Sequence, residues 1–363
     1  MSTNTQQLVQ LGQSIWLDNI TRSLLDDGTL QQYIADLSVS GLTSNPSIFN
    51  LAIKNSNSYD TDIAQKVKEG KPVEELFFEL AIDDLTRAAD LFRPIFERTN
   101  GVDGWASLEV SPHLAYDTES TLQAAKQLYE QGGRPNLFIK IPGTPEGIPA
   151  IEEAIFAGVP INVTLLFSRE QYVAAAEAYL RGIERRVEAR LNPSVASVAS
   201  VFISRWDAPV AKLVPPELNN KLGIAIAQRT YKAYRELLDS DRWMRLANFG
   251  ARPQRLLWAS TGTKDPNASD YLYIKALASP FTINTVPEST LHKFADHGTL
   301  DGVLSPAGGT GEQVISRIAR YGVDVDALAA RLQVDGAEAF VKSWDEMMGV
   351  VAGKAEAVQA AGA

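Results

Sequence analysis

Eight short apolar stretches with strand character recur along the chain, and helix-like stretches separate them. The predicted strands are Ile15–Ile20, Gly41–Pro46, Gly104–Val110, Asn136–Pro142, Pro160–Phe167, Val198–Ser204, Arg255–Thr261 and Phe281–Pro287. Strand alternating with helix is the pattern of a parallel sheet. Eight such units in one chain predict an α/β fold of the closed (β/α)8 type, the TIM barrel.

The helices are predicted from apolar side chains at three- and four-residue spacing. One stripe begins at Tyr172, and Ser168 with Gln171 three residues later has the spacing of a capping box. A second stripe, from Phe340 to Val351, lies near the end of the chain. Both stripes predict amphipathic helices that pack against a core.

The chain is longer than a minimal barrel of about 250 residues, and the excess falls in recognisable places. We expect two helical segments between Pro46 and Gly104, a helical insertion over 207–251, an N-terminal helix and a C-terminal helical extension over 310–357. No linker rich in Pro, Gly or Ser interrupts the chain. We therefore expect one domain over 1–363, with its barrel core at about 15–300.

Composition narrows the class of protein. The chain has 363 residues, of which 45% are hydrophobic, as in packed globular domains. Its apolar runs, such as Val163–Phe167, fall far short of the roughly 20 residues of a membrane-spanning helix, so no membrane partner is expected. The N-terminus lacks the pattern of a secretory signal, which makes the cytoplasm the expected location.

Net charge and the counts of cysteine and histidine argue against further kinds of partner and site. The net charge of −10 argues against a nucleic-acid partner, although a local basic cluster can still bind a small anion. The absence of cysteine excludes disulfides, thiolate metal sites and a thiol nucleophile. The three histidines, His113, His292 and His297, are too few and too poorly spaced for a His-rich metal centre, so we expect no metal site.

Polar side chains share a face near the carboxyl ends of several predicted strands. Residues i and i+2 of a strand point to the same side, and barrel interiors are packed mostly with branched apolar side chains. The polar positions near these strand ends are Asp18, Thr43 with Asn45, Ser107 with Glu109, Lys140, Asn162 with Thr164, and Ser200 with Ser204. A single buried Ser or Thr is usually a satisfied core group, but six strands contributing together indicate a site.

Lys140 lies inside the apolar strand Asn136–Pro142. Burying an unpaired ammonium group costs several kcal/mol, so this lysine either reaches solvent, pairs with a carboxylate, or acts as an amine nucleophile that forms a Schiff base. An ordinary lysine, with a pKa of about 10.4, is a free amine in only about one molecule in 2,500 at pH 7, and an apolar strand is expected to lower that pKa. Asp18 and Glu109 are the strand-end carboxylates available to move protons.

Two motifs resemble a known family. GLTSNPSIF (Gly41–Phe49) is similar to the first transaldolase signature, and LFIKIPGTPEGI (Leu137–Ile148) is similar to the second, with its lysine in place. INVTLLFS (Ile161–Ser168) and WLDNI around Asp18 also match, and the resemblance continues to His297. It implies a class I aldolase-type barrel without a metal or organic cofactor. Such enzymes transfer a dihydroxyacetone unit between phosphorylated sugars in the pentose phosphate pathway.

The resemblance also implies roles for individual residues. Lys140 would be the Schiff-base nucleophile and Asp18 the general acid/base at the C4 hydroxyl of the donor, while Glu109 would act through a water held with Thr164. The substrate-binding residues would be Thr43, Asn45, Asn162, Ser200, Phe202, Arg205, Ser260 and Lys264. Among these, Asn45, Asn162 and Ser200 would bind hydroxyl groups.

The phosphate contacts depart from the family pattern. Known members carry an arginine two residues after the serine that ends strand seven, and this chain has Gly262 there, as in the longer bacterial branch of the family. We expect Arg205 and Ser260 to hold the phosphate and Lys264 to supply the missing charge. The alternative for Lys264 is an ordinary solvated surface lysine.

Three other functions remain open from the sequence. A simple aldolase, such as fructose-6-phosphate aldolase, uses the same lysine, but a tyrosine tends to occupy the position of Phe202 in that smaller relative. A non-catalytic barrel would bind sugar phosphates without forming an imine. A metal-dependent aldolase is disfavoured by the histidines. Assembly also stays open, since the C-terminal helix could cover the barrel or a partner in a homo-oligomer.

Overall fold

A computed structural model describes residues 3–362 of the chain. Eight parallel strands form one sheet in the order β2-β1-β8-β7-β6-β5-β4-β3. The strands are β1 (Gln13–Leu17), β2 (Val39–Leu42), β3 (Ala106–Glu109), β4 (Leu137–Pro142), β5 (Ile161–Leu166), β6 (Ser197–Phe202), β7 (Gln254–Ala259) and β8 (Thr282–Val286). All eight predicted strands are present, and the predicted (β/α)8 barrel is confirmed.

The barrel closes between β2 and β3 through a short contact. Gly41 bridges Trp105, the Leu42 N–H donates to the Trp105 carbonyl at 2.9 Å, and the Gly104 N–H donates to the Ser40 carbonyl at 3.0 Å. A Cβ atom on Gly41 would lie 2.7 Å from both the Trp105 carbonyl oxygen and the Trp16 ring. Position 41 therefore needs a glycine for the two strands to approach.

Helices surround the barrel and cover part of its carboxyl end. Within residues 3–362 they are α1 (Asn4–Gln10), α2 (Arg22–Asp26), α3 (Thr29–Asp36), α4 (Pro46–Lys54), α5 (Asp60–Lys68), α6 (Val73–Arg98), α7 (Thr118–Gly132), α8 (Gly147–Ala157), α9 (Arg169–Glu188), α10 (Asp207–Val210), α11 (Leu222–Leu238), α12 (Asp241–Asn248), α13 (Leu272–Ala276), α14 (Glu288–His297), α15 (Gly311–Ala319) and α16 (Val325–Gly362). Single 3-10 turns cover Pro112–Leu114, Ser204–Trp206 and Pro216–Leu218. None of the helices in this part of the chain combines the length and the apolar character that crossing a bilayer requires.

Local sequence signals set several helix ends. The capping box predicted at α9 is present, because the Gln171 N–H donates to Ser168 Oγ and the Ser168 N–H donates to Gln171 Oε1, each at 3.1 Å. The expectation of two helices between Pro46 and Gly104 was wrong, since α4, α5 and α6 lie there. Gly70, with φ at +76°, separates α5 from α6, and its backbone conformation is one that glycine adopts at little cost.

Large apolar side chains fill the barrel below the carboxyl ends of its strands. The Trp105 and Phe138 rings stack with centroids 4.0 Å apart, and Trp16 packs beside them at 6.2 Å from Phe138. The opposite face of β4, formed by Leu137, Ile139 and Ile141, is buried against the surrounding helices. Lys140 follows Phe138 on the inner face by two residues, so it lies one layer nearer the carboxyl end.

The predicted C-terminal extension over 310–357 contains α15 and most of α16. Ser47 Oγ on α4 donates to Ser343 Oγ on α16 at 2.8 Å. The Trp344 ring lies 5.1 Å from Phe77 on α6, and Lys354 Nζ donates to the Ser56 carbonyl at 2.9 Å. These contacts hold α16 beside the carboxyl end of the barrel, where the site lies.

Candidate active site

A pocket of about 240 Å³ opens at the carboxyl end of the barrel. Its lining comprises Asp18, Thr43, Asn45, Ser47, Lys140, Thr164, Ser200, Phe202, Arg205, Ala259, Ser260, Gly262, Lys264, Thr285, Pro287 and Phe340. All residues given a role in the sequence analysis line it except Glu109 and Asn162, which are hydrogen-bonded to the lining residues Lys140 and Ser200. Ser107 and Ser204, predicted only from the polar pattern, also lie outside the lining. A larger groove, of about 1210 Å³, runs outside the barrel along α5, α6 and α7 and holds none of the predicted residues.

Lys140 is 5% exposed, and its side chain meets its partners inside the barrel. Glu109 and Lys140 are register partners on β3 and β4. Lys140 Nζ donates to Glu109 Oε2 at 3.0 Å and to the Ser44 carbonyl at 2.8 Å. The lysine therefore does not reach solvent. It pairs with a carboxylate while also lining the pocket, so a proton can pass directly between the two groups.

Glu109 is a buried carboxyl group near both positively and negatively charged side chains. Burial raises its pKa, Lys140 and Arg205 oppose that rise, and Asp18 adds to it. Among the described residues, Glu109 Oε1 and Thr164 Oγ1 are buried without a hydrogen-bond partner. Buried polar atoms are normally satisfied by protein, ligand or water. Both atoms are therefore available to a substrate or water.

Asp18 follows β1 and is half-buried at the pocket. Its Oδ1 accepts a hydrogen bond from Thr43 Oγ1 at 2.9 Å, and Thr43 Oγ1 lies 2.7 Å from Thr285 Oγ1. Burial raises the pKa of Asp18, while Lys140, the Thr43 hydrogen bond and the more distant positive charges oppose that rise. Thr43 thus orients the carboxyl group and favours its ionised form.

Amide and hydroxyl groups complete the inner wall. Asn162 is fully buried; its Oδ1 accepts from Ser200 Oγ at 2.7 Å, and its Nδ2 donates to Ser107 Oγ at 3.2 Å. Asn45 caps α4, because its Oδ1 accepts from the Ile48 N–H at 3.1 Å. This arrangement fixes the amide groups and leaves the lining hydroxyls able to bind a polyhydroxylated ligand.

Two cations without carboxylate partners line the same pocket. Arg205 lies in the 3-10 turn after β6, and Lys264 lies in the exposed loop after β7. Within residues 3–362, neither side chain makes an ion pair or a hydrogen bond to protein. Burial lowers the pKa of Arg205, and Asp18 and Glu109 oppose that effect, but guanidinium groups stay charged at neutral pH. The pair suits a phosphate group.

Ser260 lines the same pocket as the two cations. Its φ of +55° is in the left-handed region, which a serine rarely adopts. Its hydroxyl is 2.9 Å from the Ser204 hydroxyl, and the Ser204 N–H donates to the Ser260 carbonyl at 3.0 Å. Gly262, the position of the family's arginine, also lines the pocket. The turn after β7 therefore brings Lys264 to the rim.

Sequence reasoning missed three polar or aromatic members of the lining: Ser47, Thr285 and Phe340. Thr285 is two residues after the inward-facing Ile283 of β8, so the same-face rule could have found it. Ser47 lies in the first turn of α4, directly after Asn45 and Pro46. Phe340 comes from α16, and no local pattern indicates that this helix reaches the pocket.

The three histidines lie away from the pocket. His113 Nε2 is 2.7 Å from Asp345 Oδ1, His292 Nε2 is 2.8 Å from the Tyr33 hydroxyl, and His297 pairs with neighbouring aspartates. Among residues 3–362, no group of three or more His, Asp or Glu side chains is placed to hold a metal ion.

Nearly the whole chain is similar to known proteins. The family described as Transaldolase/Fructose-6-phosphate aldolase matches residues 15–351. The chain is 42% identical to a transaldolase of Arthrobacter sp. (strain FB24), over 97% of this chain and 98% of that one. It is 43% identical to a transaldolase of Thermobifida fusca, with the same coverage, and 44% identical to one of Thiobacillus denitrificans, over 95% of this chain and 98% of that one.

Proposed function

This chain belongs to the transaldolase/fructose-6-phosphate aldolase family, and we propose that it is a transaldolase working through an imine on Lys140. The donor would be sedoheptulose 7-phosphate and the acceptor glyceraldehyde 3-phosphate, giving erythrose 4-phosphate and fructose 6-phosphate. The observation that carries the proposal is a buried lysine, paired with Glu109, in a pocket that also holds Asp18 and two unpaired cations.

Imine formation begins at the pair of Lys140 and Glu109. Transfer of a proton from Lys140 Nζ to Glu109 Oε2, across their 3.0 Å hydrogen bond, gives a free amine and a neutral acid. Burial favours this step because it raises the pKa of Glu109. The amine attacks the ketone carbon of the donor, and the carbinolamine then loses water. A water bridging Glu109 Oε1 and Thr164 Oγ1 would satisfy both atoms and relay these protons.

Cleavage of the donor uses Asp18. Its carboxylate takes the proton of the C4 hydroxyl, the C3–C4 bond breaks towards the imine, and an aldehyde leaves as the enamine forms on Lys140. The enamine carbon then attacks the acceptor aldehyde, and Asp18 returns the proton to the new alkoxide. Hydrolysis of the product imine restores the lysine. The Thr43 hydrogen bond and the nearby positive charges favour the ionised form of Asp18, which the first of these steps requires.

The cellular location and the domain boundaries predicted from the sequence are also part of the proposal. Phosphorylated sugars are charged metabolites, so we propose that the protein acts in the cytoplasm as one domain over residues 1–363. Assembly into a homo-oligomer stays a prediction.

A simple aldolase is the competing function within the same family. It would protonate the enamine and release free dihydroxyacetone, which requires a proton donor close to the enamine carbon. Phe202 lines the pocket where the smaller aldolase tends to have a tyrosine, and its ring has no proton to donate. This residue favours transfer over free cleavage.

The experiment that tests the proposal is borohydride trapping with fructose 6-phosphate. Reduction of the imine is expected to add a dihydroxyacetone-derived mass at Lys140, found by peptide mapping, and transfer to an acceptor is expected to exceed release of dihydroxyacetone. Binding without an adduct would instead support a non-catalytic barrel. Release of free dihydroxyacetone at a rate near that of transfer would support the aldolase.

Lys264→Ala is expected to raise the KM for glyceraldehyde 3-phosphate about tenfold, because a charge-assisted contact to the phosphate is lost. The KM for unphosphorylated glyceraldehyde should change much less. Steady-state kinetics with both acceptors measures the difference. Lys293→Ala is the matched control, since Lys293 lies on α14, is exposed and borders an outer groove that Lys264 also lines, but does not line the candidate site. Equal increases in KM for both acceptors would show that Lys264 does not contact the phosphate.

A further inference from the structure

The side chain of Arg205 is oriented by aromatic rings. Its guanidinium carbon lies 5.1 Å from the centroid of the Phe202 ring and 5.8 Å from that of Phe340. The two ring centroids are 6.5 Å apart, with their planes inclined by 59°. A cation over an aromatic face is attracted by the ring quadrupole. Contact with the rings also leaves the N–H donors of Arg205 free for a ligand.

Phe340 reaches the pocket because α16 is tied down on both sides of it. Gln333, two turns earlier, donates from Nε2 to the carbonyls of Gly143 and Leu165, both at 2.9 Å. Ser343, one turn later, accepts from Ser47 at 2.8 Å. Residues 333, 340 and 343 lie on one helix face. The 5% exposure of Phe340 agrees with a fixed side chain.

A glycine on the same helix face lets α16 approach Arg205. A Cβ atom on Gly336 would lie 3.4 Å from Arg205 Nη1 and 3.0 Å from Leu165 Cδ2. The helix backbone at 336 therefore lies close to Nη1 of Arg205, while the Phe340 ring lies on the same helix 5.8 Å from the guanidinium carbon. This wall of the pocket comes from α16 and from no strand of the barrel.

We propose that Phe340 is a positioning residue that holds the guanidinium of Arg205 in place for the substrate phosphate. The inference rests on the proposed function. Without the ring, Arg205 keeps its charge but loses one of its two aromatic contacts. Phosphate binding must then order the Arg205 side chain, and the entropic cost of that ordering weakens the affinity for phosphate. Acceptors that lack a phosphate do not use Arg205. Phe340 therefore sets the preference for phosphorylated acceptors.

The test compares Phe340→Leu, which keeps an apolar side chain, with Phe340→Tyr, which keeps the ring. With sedoheptulose 7-phosphate as donor, the leucine variant is expected to raise the KM for glyceraldehyde 3-phosphate about tenfold. Its KM for glyceraldehyde should change less than about twofold. The tyrosine variant should keep the KM for the phosphorylated acceptor close to that of the wild type. Val341→Ala is the control, since Val341 is the next residue on α16 and faces a different groove, beside His113.

Two results would overturn the inference: equal changes in KM for both acceptors, or wild-type constants in the leucine variant. If that variant does not fold, Phe340→Met supplies the same comparison with a flexible side chain that has no ring. Borohydride trapping on the wild-type protein separates the two hypotheses. Absence of an adduct at Lys140 would contradict the proposed function, whereas an adduct together with an unaffected leucine variant would contradict the role of Phe340 alone.

Discussion

Replacing Lys140 with methionine is expected to abolish transfer, lowering kcat by about 10⁵-fold or more. The imine nitrogen is the atom to which the C3–C4 bonding electrons move, so no other group in the pocket can substitute for it. Methionine keeps an unbranched stem in the buried strand position. The measurement is a coupled assay for fructose 6-phosphate formation, together with borohydride trapping, which should give no adduct.

The same substitution has a consequence for Glu109. Loss of the ammonium removes the main group that opposes the effect of burial, so the pKa of Glu109 should rise further, which favours its neutral form. A neutral acid is tolerated in a buried site far better than an unpaired carboxylate, and the variant should remain folded. Lys126→Met, at an exposed position on α7, controls for loss of a lysine elsewhere. Transfer above about 1% of wild type in folded Lys140→Met would mean that another amine is the nucleophile.

The inner layer of the barrel follows from the sequence because strand geometry is regular. Alternation fixes which side chains face inwards, and the carboxyl ends of parallel strands meet at one edge. These rules bring Asp18, Lys140 and Ser200 to one pocket without knowledge of any distance. The pairing of Lys140 with Glu109 depends on the register of β3 and β4, which only the structure gives. The roles assigned to these residues stay proposals.

Other features depend on contacts between distant parts of the chain. Phe340 looks like an ordinary member of an apolar helical stripe, and only the packing of α16 against the barrel brings it to Arg205. The need for glycine at 41 arises from the approach of Trp105 across the closure of the barrel. The separation of α5 from α6 rests on a turn of a few residues, which the apolar pattern does not resolve.

Asp18→Asn is expected to separate imine formation from cleavage of the carbon–carbon bond. Asparagine has nearly the same shape and can still accept the hydrogen bond from Thr43, but it cannot take the proton of the C4 hydroxyl. Transfer should fall by about 10³- to 10⁴-fold, the usual contribution of a general base. Trapping with dihydroxyacetone and borohydride, which needs no cleavage, should still label Lys140. Asp36→Asn, an exposed position at the end of α3, is the matched control.

The pH dependence of wild-type transfer is a second test of the role of the Asp18 carboxylate. Burial raises the pKa of Asp18, so the ionised form that accepts the proton is lost as the pH falls through this raised value. Activity should therefore decline on the acid side at a higher pH than the usual aspartate pKa of about 3.9 would impose. If Asp18→Asn lost imine trapping along with transfer while remaining folded, Asp18 would be needed before cleavage. Its assigned role would then be wrong, and the proton of the C4 hydroxyl would have to go to another group.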